Sequence, residues 1–88
     1  MIGTTIQVFA HPKAYIQKYY DLTNCSVNEL ERVLKDHCEQ VGIHPTNAAI
    51  TLPGFKPNYE CIVKGTSTTS MTLYDVARQI LRLHGRDV

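Results

Sequence analysis

No stretch of this sequence approaches the roughly 18 consecutive apolar residues that a membrane-spanning helix requires. The first residues also lack a basic region followed by an apolar run, so we expect no secretory signal. The three cysteines are odd in number and widely spaced, which argues against a framework of disulfides. We therefore expect an intracellular, cytoplasmic protein in a reducing compartment, with no membrane partner.

The sequence has little net charge. Nine Lys and Arg residues stand against eight Asp and Glu residues, which leaves a formal net charge of +1. Nucleic-acid-binding domains are usually visibly basic, because neutralising phosphates supplies most of their affinity. Any binding of RNA or DNA by this chain is therefore expected to be weak and to depend on a local basic patch.

Motifs that carry catalysis or hold metals are also missing. The sequence contains neither G-x-x-x-x-G-K-[ST] nor G-x-G-x-x-G, and it lacks the C-x-x-C and H-x-x-x-H spacings of structural zinc sites. His37 and Cys38 are neighbours that point about 100° apart on a helix, so they cannot easily bind one ion. Cys25 lies near a helix N-terminus, where thiol pKa values fall, but no base can be placed beside it. We expect no enzyme activity, no catalytic or metal-binding residues and no cofactor.

The length of 88 residues predicts a single domain over 1–88. Residues 4–9 alternate like a strand, and Pro12 is suited to the first position of a helix of about ten residues. Four residues would form one stripe on that helix: Tyr15, Ile16, Tyr19 and Tyr20. We expect Tyr15, Ile16 and Tyr19 in the core and Tyr20 partly exposed. The alternative is that aromatic residues interleaved with Lys13 and Lys18 stack on bases or anchor a protein partner.

The remaining elements carry clearer signals. Ser26 and Glu29 form a capping box for a helix over 26–41, and Thr72 and Asp75 form another for a helix over 72–84. Strands are predicted over 48–52 and 59–64, which pair with the first strand in a three-stranded sheet. The expected core residues are Ile6, Val8, Leu30, Leu34, Ile50, Ile62, Val76, Ile80 and Leu81.

The predicted fold is therefore α+β, a single small domain of order β-α-α-β-β-α with a three-stranded sheet covered on one face by helices. Its most characteristic stretch is Tyr59-Glu60-Cys61-Ile62-Val63-Lys64-Gly65, followed by a helix that carries Val76, Ala77 and Ile80. At the other end of the chain, Ile6-Gln7-Val8 suits the first strand of this fold, and Pro12 and Tyr15 suit its first helix. On these residues the chain resembles a type I KH (K-homology) domain over most of its length.

The resemblance breaks at the loop that joins the first two helices of a KH domain. That family uses a G-x-x-G loop and a basic residue there to hold nucleic-acid phosphates. This chain has Leu22-Thr23-Asn24-Cys25 instead, and no Lys or Arg lies between Asp21 and Glu31. The resemblance therefore implies a degenerate KH-like domain, a form that serves as a protein-contact or spacing module.

A second resemblance, ranked lower, is to the double-stranded-RNA-binding domain, α-β-β-β-α. It would begin at Ser26 and use residues 66–70 as its third strand. That family needs a lysine cluster at the start of its last helix, where this chain has Ser70-Met71-Thr72-Leu73. It would also leave the first strand and helix as an unexplained extension.

Three functional hypotheses follow. The first is a non-catalytic KH-like interaction module that docks on a protein partner within an RNA-associated or other multi-subunit assembly, with Tyr20, Phe55 and Tyr74 as candidate anchors. The second is a divergent single-stranded nucleic-acid-binding domain whose candidate residues are Lys13, Lys18, Arg32 and Lys35. The third is a small phage-type effector that inhibits a larger host complex. We expect generic single-stranded nucleic acid to bind no better than roughly 10⁻⁴ M at physiological salt.

Overall fold

The structure is a computed structural model that describes residues 3–11, 14–52, 59–62 and 71–88. Within them the elements follow the order β-β-α-β-β-α, with one short 3-10 helix before the third strand. Their bounds are β1 Gly3–His11, β2 Ala14–Asp21, α1 Val27–Val41, the 3-10 helix Pro45–Asn47, β3 Ala49–Leu52, β4 Tyr59–Ile62 and α2 Leu73–Leu83. The α+β class in a small single domain is confirmed.

The described strands form one antiparallel sheet with the spatial order β2-β1-β3-β4. Val8 of β1 pairs with Ile16 of β2 on one side and with Ile50 of β3 on the other. Ile50 in turn pairs with Cys61 of β4. The first strand is therefore interior to the sheet, and β2 lies at one of its edges.

Both helices begin where their capping residues predict. Ser26 Oγ accepts a hydrogen bond from the Glu29 backbone N–H at 3.1 Å, and Thr72 Oγ1 accepts one from Asp75 N–H at 3.1 Å. Each side chain thereby satisfies a backbone donor that a first helical turn leaves without a partner. Gly42 ends α1 in the left-handed conformation, with φ of 86°. Such a residue is favoured there because a side chain would strain that backbone.

The core lies between the two helices and one face of the sheet. Alternate strand residues are buried, since side chains point to opposite faces with a period of two. The buried apolar residues are Ile6, Val8, Leu22, Leu30, Leu34, Cys38, Ala48, Ile50, Leu52, Leu73, Val76, Ala77, Ile80 and Leu81. This list confirms every expected core residue except Ile62, whose side chain lies outside the described part of the structure.

The helix predicted from Pro12 is wrong. Ala14–Asp21 is a strand that pairs with β1 from Gly3↔Asp21 to Phe9↔Tyr15 without a shift in register. Aromatic and β-branched residues favour strands, and a helix of about ten residues is marginal without tertiary support. The order is consequently β-β-α-β-β-α in place of β-α-α-β-β-α, and the sheet has a fourth strand besides the three that were predicted.

This correction changes the setting of the Leu22–Cys25 loop, which joins a strand to a helix. Leu22 is buried in the core, and the Arg86 guanidinium donates a hydrogen bond to its backbone carbonyl. Asp21 accepts hydrogen bonds from the backbone N–H and the hydroxyl of Thr23, at 3.0 and 2.6 Å. These contacts form a compact turn of the kind that Asp side chains stabilise. They give the loop a role in positioning α1 against the sheet.

Candidate interaction surface

The alternation of β2 separates its side chains into two sets. Residues directly opposite each other on paired strands share a face of the sheet. Ile16 and Lys18 are opposite the buried residues Val8 and Ile6, so they lie on the face that the helices cover. Tyr15 and Tyr19, which are opposite Phe9 and Thr5, lie on the other face.

We call that second side of the sheet the open face. The residues of this face whose side chains the structure describes are Thr5, Gln7, Phe9, Tyr15, Gln17, Tyr19, Ala49 and Thr51, with Asp21 at its margin. None of them is buried, whereas Ile6, Val8 and Ile50 on the opposite side are enclosed by the core. The open face is therefore the side of the sheet that the two helices leave uncovered.

Two tyrosines dominate the open face. Tyr15 is 52% exposed and Tyr19 is 56% exposed, and both lie on the edge strand. A Cβ atom on Gly3 would lie 2.6 Å from Cζ of Tyr19, closer than atoms can approach. The absence of a side chain at Gly3 is thus what lets the Tyr19 ring lie over the start of β1.

Across the middle of the open face run polar but uncharged side chains. Thr51, Gln7 and Gln17 form a row across three strands, and the Thr51 hydroxyl donates a hydrogen bond to Gln7 Oε1 at 3.3 Å. At the end of β2, Asp21 lies at the margin of this face, and its hydrogen bonds from Thr23 hold its pKa below the usual range. Among the residues whose side chains the structure describes, the one charge at this face, that of Asp21, is thus negative, which disfavours a polyanionic ligand.

The sequence-based anchors occupy different places. Tyr20 is partly exposed on the helix-covered side, where it packs against the core and lines the groove between β2 and α1. Tyr74 lies at the start of α2 and is 40% exposed. Phe55 lies outside the described residues. The expectation that Tyr15 and Tyr19 are core is wrong, because the segment follows the period of a strand and their side chains alternate away from the helices.

The nucleic-acid candidates are partly brought together. Lys18 and Arg32 line one shallow groove of about 380 Å³ between β2 and α1, which Asp36 also lines. Arg32 and Lys35 line a neighbouring depression together with Glu31. Each basic pair thus has a carboxylate beside it, which weakens its attraction for phosphate. Lys13 lies outside the described part of the chain.

The floor of the groove contains a polar pair, formed by the partly exposed Tyr20 and the buried His37. The hydroxyl of Tyr20 lies 2.9 Å from Nδ1 of His37 and also contacts Nε2, and the two ring centroids are 5.2 Å apart. His37 is 2% exposed. Burial lowers the pKa of His37, and the positive charge of Lys18 lowers it further. His37 is therefore neutral at physiological pH and can share a hydrogen bond with the tyrosine.

This arrangement predicts that acid destabilises the protein. The ordinary His pKa of 6.5 applies to the unfolded chain, whereas the folded pKa is lower. Below pH 6.5 the unfolded state binds more protons, so the free energy of unfolding should fall from there towards the folded pKa. Urea unfolding measured between pH 7 and 5 should show this fall. Burial lowers the pKa of His84 as well, so His37→Gln should reduce the slope without abolishing it. An unchanged slope in that variant would contradict the assignment to His37.

The two described thiols, Cys25 and Cys38, offer little nucleophilic chemistry. Burial, assisted by the nearby Glu29 carboxylate, raises the pKa of Cys25, which is opposite to the lowering considered from its position near a helix N-terminus. Burial raises the pKa of Cys38 to about 11. Both thiols are therefore protonated at neutral pH. Within the described ranges, no group of three or more His, Cys, Asp or Glu side chains could hold a metal ion.

Comparisons with known proteins do not assign this chain to a family. No family model matches the chain, and neither the curated proteins nor the solved structures contain a significant match. In the part of the chain that the structure describes, no helix has the length and apolar character needed to cross a membrane. A function must therefore be inferred from the surface itself.

Proposed function

We propose that this chain is a non-catalytic interaction module that docks on a protein partner through the open face of its sheet. One observation carries the proposal: the face opposite the helices presents Tyr15 and Tyr19 to solvent, on a surface of uncharged polar side chains. Aromatic side chains are enriched at protein interfaces and supply much of their binding energy.

The chemistry of the face defines the partner. Thr and Gln side chains offer hydrogen bonds, the tyrosine rings offer apolar area, and the described residues of the face bring no cation to attract phosphates. The partner is therefore a protein surface with apolar side chains and backbone or amide hydrogen-bonding groups. A KH-like identity, and with it a place in an RNA-associated or other multi-subunit assembly, stays a prediction from the sequence resemblance.

The proposal is tested with paired surface variants. Tagged protein is purified from its native cells, with and without nuclease, as wild type, as Tyr15→Ala/Tyr19→Ala and as Tyr74→Ala. A partner should be retained by wild type and by Tyr74→Ala, lost with the double variant, and unaffected by nuclease. Truncating an interface anchor costs about 2 kcal/mol or more, so the affinity for the purified partner should fall by roughly 30-fold or more.

Matched controls make the result interpretable. Circular dichroism and urea unfolding should show that both variants remain folded, since all three tyrosines are substantially exposed. Loss of the partner in Tyr74→Ala, with retention in the double variant, would place the interface on α2. Release of the partner by nuclease would show that RNA bridges the contact.

The alternative, single-stranded nucleic-acid binding, is favoured by one observation: Lys18 and Arg32 share the groove between β2 and α1. Fluorescence anisotropy with an oligo(U) probe decides it. We expect an affinity no better than roughly 10⁻⁴ M at physiological salt. Micromolar binding that falls steeply with salt and disappears in Lys18→Ala/Arg32→Ala would overturn the protein-docking proposal.

A further inference from the structure

The outer edge of β2 is the longest strand edge that the described sheet exposes. β2 has eight residues, and β4 at the opposite edge has four described residues. Among the described residues only β1 pairs with β2, so no described strand covers the outer side of β2. Backbone N–H and C=O groups on such an edge can pair with another strand. Proteins usually protect such edges with short strands, prolines, bulges or charged side chains, and Lys18 is a charge of this kind on β2. β2 contains no proline, and its pairing with β1 is regular from Asp21 to Tyr15.

We propose that this edge pairs with the same edge of a second copy of the chain, in antiparallel orientation about a two-fold axis. The result is a dimer in which the four described strands of each copy join into one continuous sheet. This inference rests on the β2 edge and is independent of the proposed function.

The register of the pairing follows from the side chains. For the helices of both copies to lie on one side, paired residues must share a face, so the axis passes through a residue of β2. Two positions of the axis, at Gln17 and at Lys18, allow nearly all residues of β2 to pair with the second copy. An axis at Lys18 places two like charges directly opposite each other, which destabilises the pair. The axis at Gln17 moves the two lysines to diagonal positions, which weakens this repulsion.

The Gln17 axis also makes favourable pairs. The two Gln17 amides meet at the axis, where each can donate and accept a hydrogen bond. Tyr15 of each copy lies opposite Tyr19 of the other on the open face, which gives two aromatic cross-strand pairs. Ile16 lies opposite Lys18, whose aliphatic stem can cover it. The near-neutral chain, with a net charge of +1, opposes this association only weakly.

The dimer would enlarge the open face. Its four tyrosines would gather at the centre of a platform twice the width of the sheet in one copy. A partner protein that docks on the open face would then meet a single aromatic cluster at the symmetry axis.

Two measurements on the purified full chain test the inference. In sedimentation equilibrium from micromolar to millimolar concentration, the mass should rise from 9.9 kDa towards twice that value. Mild oxidation of Gln17→Cys should give several-fold more disulfide-linked dimer than the parent chain, whose own cysteines set the background. Lys18→Cys should stay near that background, because its partner across the strand is Ile16.

The possible results either support the dimer or overturn it. A monomer at every concentration, with Gln17→Cys no better linked than the parent, overturns the dimer. Stronger linkage of Lys18→Cys than of Gln17→Cys overturns the register and with it the proposal. Circular dichroism confirms that each cysteine variant is folded, and the parent sedimentation result stands even if one is not. Because no partner protein is present, failure of the dimer leaves the docking function untouched.

Discussion

Replacing Leu34 with alanine is expected to lower the free energy of unfolding by about 2–5 kcal/mol. Leu34 is fully buried on α1, within the core that joins the two helices to the sheet. Truncation removes apolar contacts and leaves a cavity that the surrounding side chains can fill only in part. Net stability in a domain of this size is about 5 kcal/mol, so the variant should be close to unfolding at room temperature.

A matched control uses the same substitution on the other helix. Leu83 lies at the end of α2 and is 46% exposed, so Leu83→Ala should change stability by no more than about 0.5 kcal/mol. Urea unfolding followed by circular dichroism measures both variants against wild type. Equal losses for the two leucines would contradict the placement of α1 over the sheet.

Removing the hydroxyl of Tyr20 is expected to cost about 1–3 kcal/mol, because it leaves the buried ring of His37 without its hydrogen-bond partner. The phenylalanine in Tyr20→Phe keeps the apolar contacts of the ring, so the loss reports the polar pair alone.

Tyr15→Phe is the control for this effect. The same hydroxyl is removed from a ring that is largely exposed on the open face, and we expect stability to change by no more than about 0.5 kcal/mol. Thermal and urea unfolding at pH 7 compare the two variants. A loss in Tyr15→Phe that equals or exceeds that in Tyr20→Phe would show that β2 presents the opposite face to the core.

Local signals predicted the parts of this fold that depend on local interactions. Ser26 and Thr72 cap their helices through hydrogen bonds within one turn, so the sequence alone locates both starts. The apolar stripe of α1 and the alternation of β1 likewise follow from their own periodicities. Residues 53–58 and 63–70 lie outside the described chain, so the expectations for those segments stay predictions.

The segment from Ala14 to Asp21 could not be assigned in the same way. Its apolar residues come as two adjacent pairs, Tyr15-Ile16 and Tyr19-Tyr20, a spacing that suits a helical stripe as well as a strand with aromatics on both faces. The segment is a strand because a long series of its residues pairs with β1. This pairing joins separate parts of the chain, so a local sequence pattern cannot predict it. The wrong helix prediction also made the prediction of exposed residues wrong, because the helix would have buried Tyr15 and Tyr19.

The most direct test of this account is an NMR measurement of residues 14–21 in the isolated protein. We expect extended-backbone chemical shifts, with cross-strand NOEs that join Val8 to Ile16 and Thr5 to Tyr19. Solvent paramagnetic relaxation should broaden the ring signals of Tyr15 and Tyr19 more than that of Tyr20. Helical shifts across this segment, with Tyr15 and Tyr19 protected from the solvent probe, would contradict the open face and the functions assigned to it.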